Sequence, residues 1–499
     1  MNAITQKILD TFAHVAAIPR CSGNEKAISK WLRQWASENG FTHETDPVGN
    51  VLIRIPATKG YEKAPVVVIQ GHCDMVGQKT PESNHDFRTD PIQLVHDGQW
   101  LRAHQTTLGA DNGVGIALAL EFAKDDKVFH PELELLFTVD EEVGMTGAGS
   151  LSPEYLRGRI LLNIDSEQEG MFTIGCAGGR NTTIMHPLTF TALPDNFRFF
   201  TLTAGGMRGG HSGDDINKQR ANANKILFRA LNRIRASFSI RLISISGGSV
   251  HNAIPREAEA IIALDSKHFP AMQQLVEQYQ QIARNEYPGE TTFSLNIDAT
   301  DKDASDSFSG PFDYFIQDRL RTGMGQDQTD RVINLILALP NGVARMSGAI
   351  QGLVETSNNL AIVKTKDNLL HILSSQRSSV MSRLDELTSQ IEATALLAQA
   401  PVRSGKGYPN WQPNMRSPLL SQCKKVYFEC FGEKAGVESA HAGLECGVIG
   451  SKFKHMDMIS FGPTILDPHS PEERLYIPSV LKVWTFLENL TKSITGPLS

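Results

Sequence analysis

The segment 66–75, VVVIQGHCDM, ends an apolar run with a histidine and an aspartate one residue apart. Alternate side chains of an extended chain share a face, so His72 and Asp74 point the same way. Asp111 in TTLGADNGVG stands at the start of a helix-like stretch. Glu141 and Glu142 in FTVDEEVG, and Asp165 in LLNIDSEQEG, follow strand-like runs. Far downstream, FGPTILDPHSPEE offers His469 between Pro468 and Ser470-Pro471, where proline stiffens the backbone around a rigid ligand. Mixed imidazole and carboxylate ligation suits Zn²⁺, and also Mn²⁺ or Co²⁺.

Each residue taken singly has an ordinary alternative. His72 could be a satisfied histidine, Asp74 a turn residue, Asp111 a plain N-cap, Glu141 and Glu142 a solvated pair, Asp165 the start of a turn and His469 an exposed loop residue. Together they read differently. In a parallel sheet the carboxyl ends of the strands gather on one rim. His72, Asp74, Asp111, Asp140, Glu141, Glu142 and Asp165 would then crowd together. Such negative charge is costly unless one or two divalent cations neutralise it.

The elements that must position these residues alternate along the first part of the chain. Val66 to Ile69 reads as a buried strand that Gly71 breaks; GVGIALALEFAKDD reads as a buried helix; LELLFTV and ILLNID read as further strands. This is an α/β pattern with a largely parallel sheet. After about His186 the character changes. FRFFTLTAGG and RLISISGGS alternate like half-exposed strands, while ANANKILFRALNRIRA and VMSRLDELTSQIEATALLAQ read as helices. PVRSGKGYPNWQP is a boundary loop, and MDMISFGP supplies a last strand. A chain of 499 residues exceeds one core. The expected organisation is a discontinuous α/β domain, 1–186 and 402–499, with a second domain inserted at 187–401. Repeats and low-complexity tracts are not evident.

Bulk properties narrow the function classes. A net charge of -7 gives no electrostatic case for nucleic acid. No apolar run approaches the roughly 18 residues of a membrane span. The N-terminus reads as an amphipathic helix, with Ile4, Ile8, Phe12 and Val15 on one face, rather than a leader. The six scattered cysteines include Cys73, which faces away from its neighbours' side; free thiols in a reducing, cytoplasmic setting are expected.

GHCDM, GADNGVG, TVDEEVG, NIDSE and GPTILDPHSPEE together resemble the metal-site motifs of the M20 metallopeptidase family, and more narrowly its aminoacyl-histidine dipeptidases. GCAGG, GGHSG, NAIPREA, VETSNN, YPNWQP and HAGLECG extend the resemblance along nearly the whole chain. It implies a zinc-peptidase-like α/β catalytic domain and an inserted α+β lid and dimerisation domain. It implies two divalent ions, Zn²⁺ foremost and Co²⁺ or Mn²⁺ as alternatives. His72 and Asp165 would hold one, Glu142 and His469 the other, and Asp111 would bridge them. Asp74 would hold the far ring nitrogen of His72, Glu141 would be the general base, and the Asp111–Asn112 peptide would be cis.

The same resemblance gives roles to residues whose types alone suggest only loop or turn positions. His211 would stabilise an oxyanion, Asn252 would contact substrate, and Arg377 would clamp a free carboxylate. Gly443 would permit close backbone approach near His441, and Glu445 would meet a free α-amine. The implied activity is hydrolysis of unblocked dipeptides, favouring Xaa-His substrates of the carnosine type, by a homodimer joined through the inserted domain. A deacylase or carboxypeptidase of the same family is the alternative. A non-catalytic protein would be expected to lack a ligand, and a nucleotide-binding enzyme would need a G-x-G-x-x-G that is absent after any strand.

Overall fold

The structure is a computed structural model and describes residues 2–300, 321–348 and 350–496. The chain divides into two compact units, Met1–Cys176 with Trp411–Ser499, and Ala177–Asn410.

The first unit is built on an eight-stranded sheet, in the order Thr42–Thr45, Val51–Ile55, Leu133–Thr138, Val67–His72, Ile160–Asn163, Asp457–Ser460, Met171–Cys176, Gly436–Ala440. Its centre is parallel: Val67–His72 runs alongside both Leu133–Thr138 and Ile160–Asn163, which in turn pairs with Asp457–Ser460. The two central strands Val67–His72 and Leu133–Thr138 are buried at every position, as strands covered on both faces must be. Helix Ala110–Lys124 is buried from Ala110 to Ala123. Its apolar residues run round the whole circumference and leave no solvent face. Helices Ala3–Ala16 and Ile477–Ser493 pack their apolar faces into the same core.

The strand carrying His72 differs from expectation in one respect: it continues through Gly71. Glycine stands there because a Cβ would lie 2.1 Å from Asn112 Oδ1, so the residue admits a neighbour rather than ending the strand.

A smaller four-stranded sheet joins Ile465–Leu466 and Arg474–Tyr476 to Trp100–Ala103 and Leu94–Asp97. It anchors both ends of the loop that carries His469.

The second unit is an antiparallel sheet with helices. Its strands run in the order Ser294–Ala299, Phe197–Gly205, Ala258–Asp265, Arg241–Gly247, Val354–Lys366, Leu369–Ser378, Gly178–Pro187, Val402–Ser404, and Gly342–Met346 pairs beside Val354–Lys366. Helices Ala223–Ser237, Phe269–Glu286, Gln326–Ala338 and Met381–Leu397 contribute Leu231, Met272, Ile333 and Ile391 to one core with Leu202, Ile262 and Ile372 of the strands. The unit's bounds lie outside the expected 187–401. Gly178–Pro187 pairs along its whole length with Leu369–Ser378, and Val402–Ser404 pairs with its other edge. Those hydrogen bonds draw 177–186 and 402–410 into the second unit.

Candidate metal centre

His72 closes the strand Val67–His72 and is 1 % exposed. Asp165 lies just past the parallel strand Ile160–Asn163. Asp140, in the left-handed region, turns the chain after Leu133–Thr138 so that Glu141 and Glu142 open a one-turn helix. Asp111 begins Ala110–Lys124, and the Asp111–Asn112 peptide is cis. The sheet's rim thus gathers four of the five expected ligands, and the loop between Ile465–Leu466 and Arg474–Tyr476 delivers the fifth.

His72 Nε2 is 3.0 Å from Asp111 Oδ1 and 3.3 Å from Asp165 Oδ1. His469 Nε2 is 3.0 Å from Asp111 Oδ2 and 3.1 Å from Glu142 Oε2. Asp111 therefore presents one oxygen to each histidine, and each histidine has a second carboxylate of its own. Donor atoms of His72, Asp111 and Asp165 lie within 4.8 Å of one another, as do those of Asp111, Glu142 and His469, and those of His72, Glu141 and Glu142.

Asp74 sits behind this array, fully buried. Its Oδ1 is 3.4 Å from His72 Nδ1 and accepts the Glu141 N–H at 3.0 Å. Its Oδ2 accepts from Ser22 Oγ at 2.8 Å and from the Glu142 N–H at 3.2 Å. One carboxylate thereby orients the His72 ring and the glutamate turn together. Asp140, expected on the same rim, turns aside to accept from Thr146 Oγ1 at 2.6 Å.

The electrostatics are those of excess negative charge. Burial opposes a charged His469, but Asp111 and Glu142 raise its pKa to about 11. His72, fully buried, is likewise raised well above the usual imidazole range by Asp165, Asp111 and Asp74. Burial, only partly offset by His72, and the charges of Asp165, Glu445 and Glu142 push Glu141 well up. Glu167 rises to about 8 through burial and the nearby Asp111 and Asp165. Glu142 Oε1 and Asp165 Oδ1 are buried without a hydrogen-bond donor. Two histidines cannot balance these carboxylates, and a donor set of imidazole and carboxylate oxygens with orphaned oxygens fits divalent cations.

Glu445, expected to meet a free α-amine, is a buried carboxylate. It is 0 % exposed, and its Oε2 accepts from Gln70 Nε2 at 2.7 Å and Thr138 Oγ1 at 2.6 Å. It is held inside the first unit, and the start of helix Glu445–Lys452 is itself buried. Gly443 is half-buried in the loop preceding that helix.

The remaining expected residues belong to the second unit. His211 pairs with Ala253 in a short antiparallel bridge, next to the exposed Asn252, and its Nδ1 is 2.9 Å from Asp214 Oδ2. Arg377 is buried, and its Nη1 donates to Tyr408 Oη at 3.1 Å. His251 links them electrostatically: burial, then the charges of Arg377 and His211, lower its pKa. Sequence reasoning passed over His251, Tyr408 and Gln70, for nothing in their local spacing marks them.

The chain is 41% identical to the cytosol non-specific dipeptidase of Escherichia coli over 98% of both chains. It belongs to the M20 peptidase family. The family's peptidase dimerisation domain matches residues 200–291, and a model of peptidase family M28 matches residues 50–191, the stretch that carries His72, Asp111, Glu142 and Asp165. Among solved structures, the aminoacylhistidine dipeptidase of Vibrio alginolyticus superimposes with a TM-score of 0.87 at 37% identity, covering 100% of this chain and 99% of that one. The aminopeptidase PepT of Bacillus cereus shares the fold, with a TM-score of 0.56 at 14% identity and 98% coverage of both. Among the described residues, no helix is long and apolar enough to cross a membrane.

Proposed function

We propose that this M20 peptidase is a dinuclear metallodipeptidase that cleaves unblocked dipeptides, favouring Xaa-His substrates of the carnosine type. The observation that carries the reading is the split of Asp111, whose two oxygens each lie 3.0 Å from a different histidine. His72 and Asp165 would hold one ion, Glu142 and His469 the other, with Asp111 shared. The ions are assigned as Zn²⁺, with Co²⁺ or Mn²⁺ as functional substitutes. When bound, they supply Lewis acidity for the scissile carbonyl and acidify the attacking water.

The chain's own residues do the rest. Glu141 accepts the water's proton and returns it to the leaving amine. Asp74 fixes the His72 ring and the Glu141–Glu142 backbone, so base and ligands keep register. From the second unit, Arg377 receives the dipeptide's free carboxylate, with Tyr408 fixing its guanidinium. His211 stabilises the oxyanion and Asn252 contacts the substrate. Gly443 allows the loop before Glu445–Lys452 to approach the substrate's amino end. The match of residues 200–291 to a peptidase dimerisation domain supports a homodimer through the second unit. The cytosolic relative supports a cytoplasmic location.

The test is a panel of carnosine, Ala-His, other unblocked dipeptides and N-acyl amino acids, run on metal-stripped and reconstituted protein. Dipeptide hydrolysis should vanish on chelation and return with Zn²⁺, Mn²⁺ or Co²⁺. Glu141→Gln should retain both ions and lose at least about 100-fold in kcat. Preference for N-acyl substrates would replace the dipeptidase reading with a deacylase.

A further inference from the structure

Two residues outside the ligand set grip the backbone that carries it. Arg20 is 1 % exposed. Its Nη1 donates to the carbonyls of Cys73 at 2.9 Å and Asp74 at 2.8 Å, and its Nη2 donates to that of Gly109. Glu473 is 2 % exposed. Its Oε2 accepts the N–H groups of Leu108 at 2.8 Å and Gly109 at 3.0 Å, and its Oε1 those of Ala110 at 2.8 Å and Asp111 at 3.3 Å.

The passage for Arg20 is shaped by glycine. A Cβ at Gly109, where φ is +68°, would lie 2.7 Å from Arg20 Nη2, and one at Gly113 would lie 2.6 Å from it. A buried guanidinium is costly unless its donors are met. Here Nη1 and Nη2 are met by carbonyls of the two segments that present His72 and Asp111, while the buried Nε has no partner. Glu473 stands four residues after His469 and joins that loop to the start of the Asp111 helix.

We propose that Arg20 and Glu473 are positioning residues that fix Asp111 relative to His72 and His469, and so set the affinity for both ions. The inference rests on the reading of these five side chains as metal ligands. Every backbone group the pair contacts lies within three residues of His72, a ligand of one proposed ion, or of Asp111, shared by both. Ligation at about 2.0–2.2 Å tolerates little displacement, whereas packing alone would tolerate more.

The test uses the full chain carrying Arg20→Lys or Glu473→Gln. Zn²⁺ binding to metal-stripped protein is measured by chelator competition, beside the visible spectrum of the Co²⁺-loaded protein and the melting temperature of the metal-free protein. Affinity should fall about 10- to 100-fold, with an altered Co²⁺ spectrum. Wild-type affinity and spectrum accompanied only by a lower melting temperature would overturn the inference. Should Arg20→Lys fail to fold, Glu473→Gln, which preserves size, decides. Failure of the wild-type protein to bind two ions would instead overturn the ligand assignment itself.

Discussion

At the scale of single residues, the candidate site was legible wherever chemistry and local geometry coincide. His72, Asp111, Glu142, Asp165 and His469 each stand at a strand end, a helix start or a stiffened loop, and the structure brings their donor atoms together. Glu445 shows the limit, since its spacing in HAGLECG says nothing about burial. Gln70 and Thr138 hold it inside, and burial, against the pull of His72, raises its pKa to about 8. The sign of the consequence follows. Between about 4.5 and about 8 the folded metal-free protein keeps a proton that the unfolded chain has lost. Stability from this group is therefore present below about 4.5 and lost as pH rises through about 8, with a slope of about 1.4 kcal/mol per pH unit. Glu445→Gln should flatten the fall of the urea midpoint of metal-stripped protein over that window; an unchanged slope would contradict the assignment.

At the scale of elements, legibility followed periodicity. The helix Ala110–Lys124 could be read as buried because its apolar residues cover every face, and the central strands because they lack alternation. Gly71 misled because glycine marks either a break or a close approach, and only the position of Asn112 distinguishes them. The end of the first unit was displaced from 176 to 186 because strand pairing over more than 180 residues of separation leaves no local trace. Helix ends were also hidden. Gln326–Ala338 ends without a glycine, its C-cap Leu339 N–H returning only to the Leu335 carbonyl, and Lys225 of another helix supplies further donors. Its Nζ donates to the carbonyls of Ile336, Leu337 and Leu339 at 2.8, 3.0 and 2.5 Å. Lys225→Met keeps the aliphatic stem and removes these bonds, leaving partly buried carbonyls unmet. It should destabilise the second unit by about 2–3 kcal/mol in chemical denaturation, with Zn²⁺ affinity of the first unit unchanged.

At the scale of the whole molecule, the chain order of the ligands carries a consequence. Four come from residues 72–165 and the fifth, His469, arrives after the chain has passed through the entire second unit. Bound ions would therefore cross-link the two sequence-distant parts of the first unit. Without them, Asp111, Glu142 and Asp165 face one another with His72 and His469 as their ion-pair partners. Their repulsion falls on the loop between Ile465–Leu466 and Arg474–Tyr476, whose His469 side chain is 47 % exposed. Chelation should raise hydrogen exchange at 465–476 and at 108–113 together, while the second unit's central strands Ala258–Asp265 and Leu369–Ser378 keep their protection. Restoring Zn²⁺ to 100 times its dissociation constant should return about 2.7 kcal/mol of stability per site. Exchange that rose uniformly across both units would mean that the ions stabilise the fold generally and do not act as a local cross-link.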